Sequence, residues 1–316
     1  MWDKLLLRIR TSGPVNNIRR VAKKLILPGF QGLDIHYVTS FFVKGLTNGA
    51  LAIRASAISF QMVMAFLPSV ILIFSLIPLI STGAEGKFID VISSIMPAET
   101  FAFFDEIIIS FIREKRADIT ILTFGLFLYY SSRAVFTILD AFSHSVNLMT
   151  QKNTIYKFFV SMLVILVLSV LIILALVMVT ASESVANYLG ELDILADGIQ
   201  RIGFLVLNFF IVFMLFMLII SILYNVGNPD QRFKLFSAGA TFSSLMMIIV
   251  SKGFAYYVTN FADYKQIYGV LGVLIIFFLW IYFNSLILLI GFELNTSISR
   301  ARYQKSMPES KGVIPD

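Results

Sequence analysis

The chain has 316 residues, 58% of them hydrophobic and only 14% charged, with a net charge of +6. A soluble domain is nearer ~45–50% apolar and ~25% charged. A water-soluble globule of this length cannot bury so much apolar residue, so the solvent it implies is lipid. Cysteine is absent, which excludes a disulfide framework and any thiolate metal site.

Residues 1–54 read as a basic, partly amphipathic segment. "DKLLLRIR" and "NNIRRVAKKLIL" are short basic-apolar pieces separated by Gly13-Pro14. Such pieces either lie on an anionic membrane surface or form a solvated arm that helps to set topology. Basic residues interrupt the first leucines, so no secretory signal is read there.

Six runs then reach the roughly 20 apolar residues that a membrane helix needs: 55–80, 119–142, 156–180, 202–224, 236–258 and 268–297. They are continuously apolar, and far longer than the ~10 residues of a barrel strand. The prediction is an all-α, six-helix transmembrane domain over 55–299 with a polar tail at 300–316. Pro68 and Pro78 each remove a backbone donor from the first span and are expected to kink it. The 81–118 connection carries "KFIDVISSIM" and "AETFAFFDEIIISFIREK" with Pro97 between them. Their apolar residues recur at helical spacing, which reads as two amphipathic helices on the outer face, or as an ordinary cap.

Charge sets the expected orientation. With six spans the termini share a side, and that side carries seventeen Lys/Arg against six on the other. The positive-inside rule places both termini in the cytoplasm. Membrane orientation thus accounts for the positive excess, and no nucleic-acid partner is read from it.

Four ionisable residues stand out within the spans, where each costs ~2.5–3.5 kcal/mol to insert. Arg133 and Asp140 lie seven residues apart, two helical turns, and with Thr137 and His144 they form one polar stripe. Arg133 either reaches the headgroups or is buried and paired. Lys252, near the outer end of the fifth span, reads as a snorkelling lysine. Glu293 ends a 26-residue run without charge, Ile267–Phe292. Its stem is too short to reach water from the core, so it is expected to point into the bundle and pair with an arginine, Arg133 first and Arg54 second. Asn284 and Asn295 can bond across helices. Gly269 and Gly272, beside Tyr268, permit a close helix approach or merely loosen the helix start.

"NFADYKQIYGVLGVLIIFFLWIYFNSLILLIGFELN" resembles the C-terminal signature of the YihY/BrkB family of bacterial inner-membrane proteins. The matching pieces include Asn260-Phe261-Ala262, Ile267-Tyr268-Gly269, Leu271-Gly272 and Gly291-Phe292-Glu293-Leu294-Asn295. "ASAISFQMVMAFLPSVILIF" and "YYSSRAVFTILDAF" in the first two spans fit as well. The resemblance, over about residues 40–300, implies six spans, cytoplasmic termini and the inner membrane. Family labels such as ribonuclease BN and serum-resistance factor define no mechanism.

A nuclease needs catalytic groups in water. The chain has two histidines far apart, no acidic cluster with metal-ligand spacing and no phosphate-cradling glycine loop, and GxxxxGK[ST] does not occur. No enzyme, metal or cofactor is expected. The first functional reading is a transporter or lipid flippase without its own ATPase. Its substrate would be an anionic amphiphile, met by Arg54, Arg133 and Lys252. The alternative is an envelope scaffold whose polar groups only hold helices together. The sequence sets no oligomeric state.

Overall fold

The computed structural model describes residues 32–48, 50–80, 117–146, 154–191, 198–228, 234–261 and 270–306. The basic stretch 1–31, the 81–116 connection, Tyr268 with Gly269, and residues 307–316 lie outside the described residues.

Seven helices are described: α1 (Ile35–Asn48), α2 (Leu51–Ile80), α3 (Ala117–Val146), α4 (Thr154–Glu191), α5 (Gly198–Gly227), α6 (Ala238–Phe261) and α7 (Val270–Ser306). Helices α2 to α7 are each long and apolar enough to cross a membrane, and no strand occurs among the described residues. This is an all-α, multi-pass membrane protein. Each of the six packs on its neighbours in sequence, and α7 returns to α2, so the bundle is a closed ring in chain order. Helix α3 also reaches across to α5 and α7.

Lipid and interior divide each helix. Ile121, Ile155, Leu163, Val170, Ile202 and Val206 are exposed, as apolar side chains at a lipid boundary are. The inward faces carry small residues instead: Ala55, Ser59, Ser131, Ser132, Ser161, Ser221, Ala240, Ser243 and Ser285 are buried. Without a hydrophobic force between helices in lipid, close approach over small side chains supplies the packing. Helix α2 runs unbroken through Pro68 and Pro78.

Helices α2, α4 and α6 start at the end of the bundle where α3, α5 and α7 finish; this is the proximal end. Three boundaries there differ from the sequence expectation. Helix α2 starts at Leu51 rather than residue 55, and so takes in Arg54. Helix α7 continues to Ser306 rather than ending near 297, because "SISRARYQK" holds no helix breaker. Residues 35–48, expected within a basic surface segment, form α1, which packs on α7. Asp34 caps α1, its Oδ1 accepting from Tyr37 N–H at 2.8 Å. Leu33 and Val38 are buried with Ile298 and Ala301 of α7. Ala50, at φ 43°, turns the chain from α1 into α2.

Candidate functional site

The polar residues concentrate at the proximal end, and the "GFELN" stretch of α7 organises them. Five successive side chains face different neighbours, because a helix turns its residues ~100° apart. Gly291 meets α6, where its missing Cβ leaves room for Ser243 Oγ and the Gly239 carbonyl. Phe292 stacks on Phe142 of α3, centroids 3.9 Å apart and planes 11° from parallel. Tyr224 of α5 meets both rings edge-on at 5.5 Å. Its hydroxyl donates to the Leu288 carbonyl at 2.7 Å and lies 2.7 Å from Ser243 Oγ. Gly227 accommodates the Phe142 ring. Leu294 packs in the apolar cluster under α1.

Asn295 completes the start of α6. Its Oδ1 accepts from Gly239 N–H at 2.7 Å, and its Nδ2 donates to Ser237 Oγ at 2.9 Å. Ser237 Oγ in turn accepts from Ala240 N–H at 3.2 Å. Two of the amides left free at any helix start are thereby satisfied, one by a side chain from another helix.

Glu293 is 2% exposed and faces the interior under α1. A methyl group on Gly45 would strike its carboxylate, with Cδ only 2.6 Å from the added carbon. Two arginines flank it. Arg300, two turns further along α7, brings Nη1 to 3.8 Å from Glu293 Oε1. Arg54 of α2 lies within electrostatic range of the same carboxylate. Both arginines also bind the end of α3: Arg54 Nη1 donates to the Ala141 carbonyl at 2.7 Å and to Ser145 Oγ at 2.9 Å, and Arg300 Nη2 donates to the Ser145 carbonyl. A helix C-terminus carries unsatisfied carbonyls and a partial negative charge, so it draws both cations. Arg54 Nε and Ser297 Oγ are buried without a hydrogen-bond partner among the described residues.

The remaining sequence candidates lie elsewhere. Arg133 is not the partner of Glu293; its guanidinium sits over the Phe136 ring of its own helix at 5.5 Å. The stripe around it folds back on α3: Thr137 Oγ1 donates to the Arg133 carbonyl at 2.9 Å, and His144 Nδ1 lies 2.9 Å from the Asp140 carbonyl. Asp140 pairs with Lys157 of α4 at 3.2 Å. Lys252 is exposed, its Nζ 5.9 Å from the Phe209 ring centre. Asn284 bonds its own helix at the Trp280 carbonyl rather than a neighbour. Gly272 is buried in α7, away from the Gly239–Gly291 crossing. Sequence reasoning missed Arg300, Gly45, Gly239 and Tyr224. Continued helical periodicity past residue 297 would have exposed Arg300, seven residues beyond Glu293.

A family profile described as Virulence factor BrkB matches residues 42–313. The chain belongs to the BrkB family. The match takes in Gly45, Arg54, Glu293 and Arg300, so the proximal cluster lies inside the family region. The UPF0761 membrane protein of Enterobacter sp. (strain 638) is 31% identical over 137 residues, 42% of this chain and 45% of that protein. A UPF0761 membrane protein of Photobacterium profundum is 32% identical over 135 residues, 42% of each. YihY of Escherichia coli (strain K12 / DH10B) is 31% identical over 137 residues, 42% of this chain and 45% of that protein. The aligned segment spans just under half the length of these curated relatives. Their names give a membrane location and no activity. No solved structure matches the chain.

Proposed function

We propose that this BrkB-family protein is an energy-independent or ion-coupled facilitator that moves an anionic amphiphile across the bacterial inner membrane, and that the Glu293 cluster is its closed proximal gate. One observation carries the reading: two guanidiniums flank one buried carboxylate, leaving a net positive charge under the short helix α1. A half-buried guanidinium whose buried Nε has no hydrogen-bond partner among the described residues is suited to an anionic headgroup once α1 swings aside at Ala50. The proximal end faces the cytoplasm on this reading. Lys44, Arg54, Lys157, Lys234, Arg300, Arg302 and Lys305 gather there, as the positive-inside rule requires.

The test is reconstitution of the full chain into vesicles with fluorescent phosphatidylglycerol or phosphatidylcholine in the inner leaflet, scored by its appearance outside. Wild type should move phosphatidylglycerol above the protein-free rate, and Gly45→Leu, which forces α1 off Glu293, should accelerate it. No movement of either lipid by either protein sinks the reading.

A scaffold role is favoured by a different observation: Asn295, Tyr224 and Arg54 direct their polar atoms to neighbouring helices. In that case the same variants lower membrane levels of the protein with no translocation at any stage.

A further inference from the structure

The Glu293 cluster holds donors that its carboxylate does not use. Glu293 is buried, yet its carboxylate accepts no hydrogen bond among the described residues. Arg300 Nη1 stands 3.8 Å from Oε1, within ion-pair range and beyond the reach of an N–H···O bond. Each guanidinium commits a different nitrogen to the end of α3. Arg54 Nη1 donates to the Ala141 carbonyl and to Ser145 Oγ, and Arg300 Nη2 donates to the Ser145 carbonyl. Ser145 therefore brings the two cations together without help from any carboxylate.

Three donors are left over: Arg54 Nε, Arg300 Nη1 and Ser297 Oγ. The first and last are buried without a hydrogen-bond partner. Ser297 is 0% exposed and stands between Glu293 and Arg300 at helical spacing, on the same face of α7. A buried donor without an acceptor costs stability, and here two occur beside a buried acceptor that takes no bond. The carboxylate balances charge but does not fit the donors. A phosphate monoester has three terminal oxygens in place of two, and guanidinium nitrogens are the groups best matched to them.

We propose that Glu293 is an internal stand-in for the phosphate of an anionic phospholipid, which displaces it and gathers Arg54 Nε, Arg300 Nη1 and Ser297 Oγ. The inference rests on the headgroup role proposed above for this cluster, and adds to it the phosphate and the competition with Glu293. Resident carboxylate and arriving phosphate exclude each other, so the empty site keeps its charge balanced.

Native mass spectrometry of the full chain in detergent, titrated with dioleoyl phosphatidic acid or with oleate, tests it. A hydrogen bond to a charged group is worth about tenfold in affinity. Ser297→Ala should weaken phosphatidic acid binding about tenfold and leave the lipid-free melting temperature unchanged, because its hydroxyl bonds nothing in the closed state. Arg54→Lys keeps the charge, lacks Nε and should weaken binding as well. Glu293→Gln removes a like charge and should tighten binding about tenfold. Oleate, with a carboxylate only, should bind more weakly to wild type and lose nothing in Ser297→Ala. Unchanged affinity in Ser297→Ala, or weaker binding in Glu293→Gln, overturns the proposal. Equal affinity for oleate overturns the choice of phosphate. Inorganic phosphate that displaces the lipid at equal concentration overturns the choice of a lipid as its carrier. The vesicle assay separates this inference from transport: shifted affinities without lipid movement remove transport and keep the site, whereas movement with unshifted affinities removes the site alone.

Discussion

Glu293 and its two arginines are unequal partners. Arg300 is 37% exposed at its side chain and stands 3.8 Å away, so water screens that pair and Arg300→Gln should cost under about 1 kcal/mol. Glu293→Gln leaves the half-buried Arg54 without its carboxylate, and the loss should approach about 3 kcal/mol. Combining it with Arg54→Gln should cost less than the two single losses summed, read as unfolding in detergent–denaturant titrations; strict additivity would mean that Arg54 and Glu293 do not interact. Asn295→Ala removes the acceptor for Gly239 N–H and should cost about 1 kcal/mol. Asn295→Asp keeps an acceptor at the positive end of α6 and should retain more stability than alanine. The same denaturant titration ranks the two. The inward direction of Glu293 is legible in the sequence, because a short carboxylate stem after 26 uncharged residues has no route to water. Its partner is not legible. Arg300 falls in what reads as a tail, and depth along a helix cannot tell Arg133, which turns to Phe136, from Arg54, which turns inward.

At the scale of elements, the crossing of α6 over α7 is a close approach of backbone to backbone. Gly239 and Gly291 face each other so closely that an added Cβ on either meets the other's carbonyl oxygen. Backbone cannot yield as a flexible side chain can, so Gly291→Leu should abolish monodisperse protein in detergent-solubilised membranes. Gly253→Leu, with no atom within 4 Å of its added Cβ, should leave the size-exclusion profile intact. If both variants elute alike, the crossing does not depend on glycine. Small residues are visible in the sequence, but which of them touch is not: Gly269-Gly272 and Gly291 look equivalent along one apolar run. The position of Tyr224 and Ser243 on facing helices, which distinguishes the second, appears only once the helices are assembled. Helix α1 is hidden for a related reason. Its basic and apolar residues suit a membrane surface as well as they suit α7.

For the whole molecule, six spans are legible because lipid demands an uninterrupted apolar stretch for each crossing. The ring order is not, since hydropathy marks what enters the membrane and says nothing about neighbours. The orientation expected from charge has its own test, made clean by the absence of native cysteine. Ser93→Cys should react with an impermeant maleimide in intact spheroplasts. Gln304→Cys, exposed near the end of α7, should react only after the membrane is opened. The reverse pattern inverts the protein.

The closed ring also has a consequence in time. Helix α2 enters the membrane first among the six and α7 last, yet the two are adjacent and Arg54 of α2 lies within electrostatic range of Glu293 of α7. Until the ribosome has released the final helix, Arg54 sits at the membrane with its counter-charge not yet synthesised, and α6 lacks the asparagine that finishes its first turn. A chain stopped at residue 269 keeps the residues that Arg54 bonds on α3 but lacks the carboxylate that balances its charge.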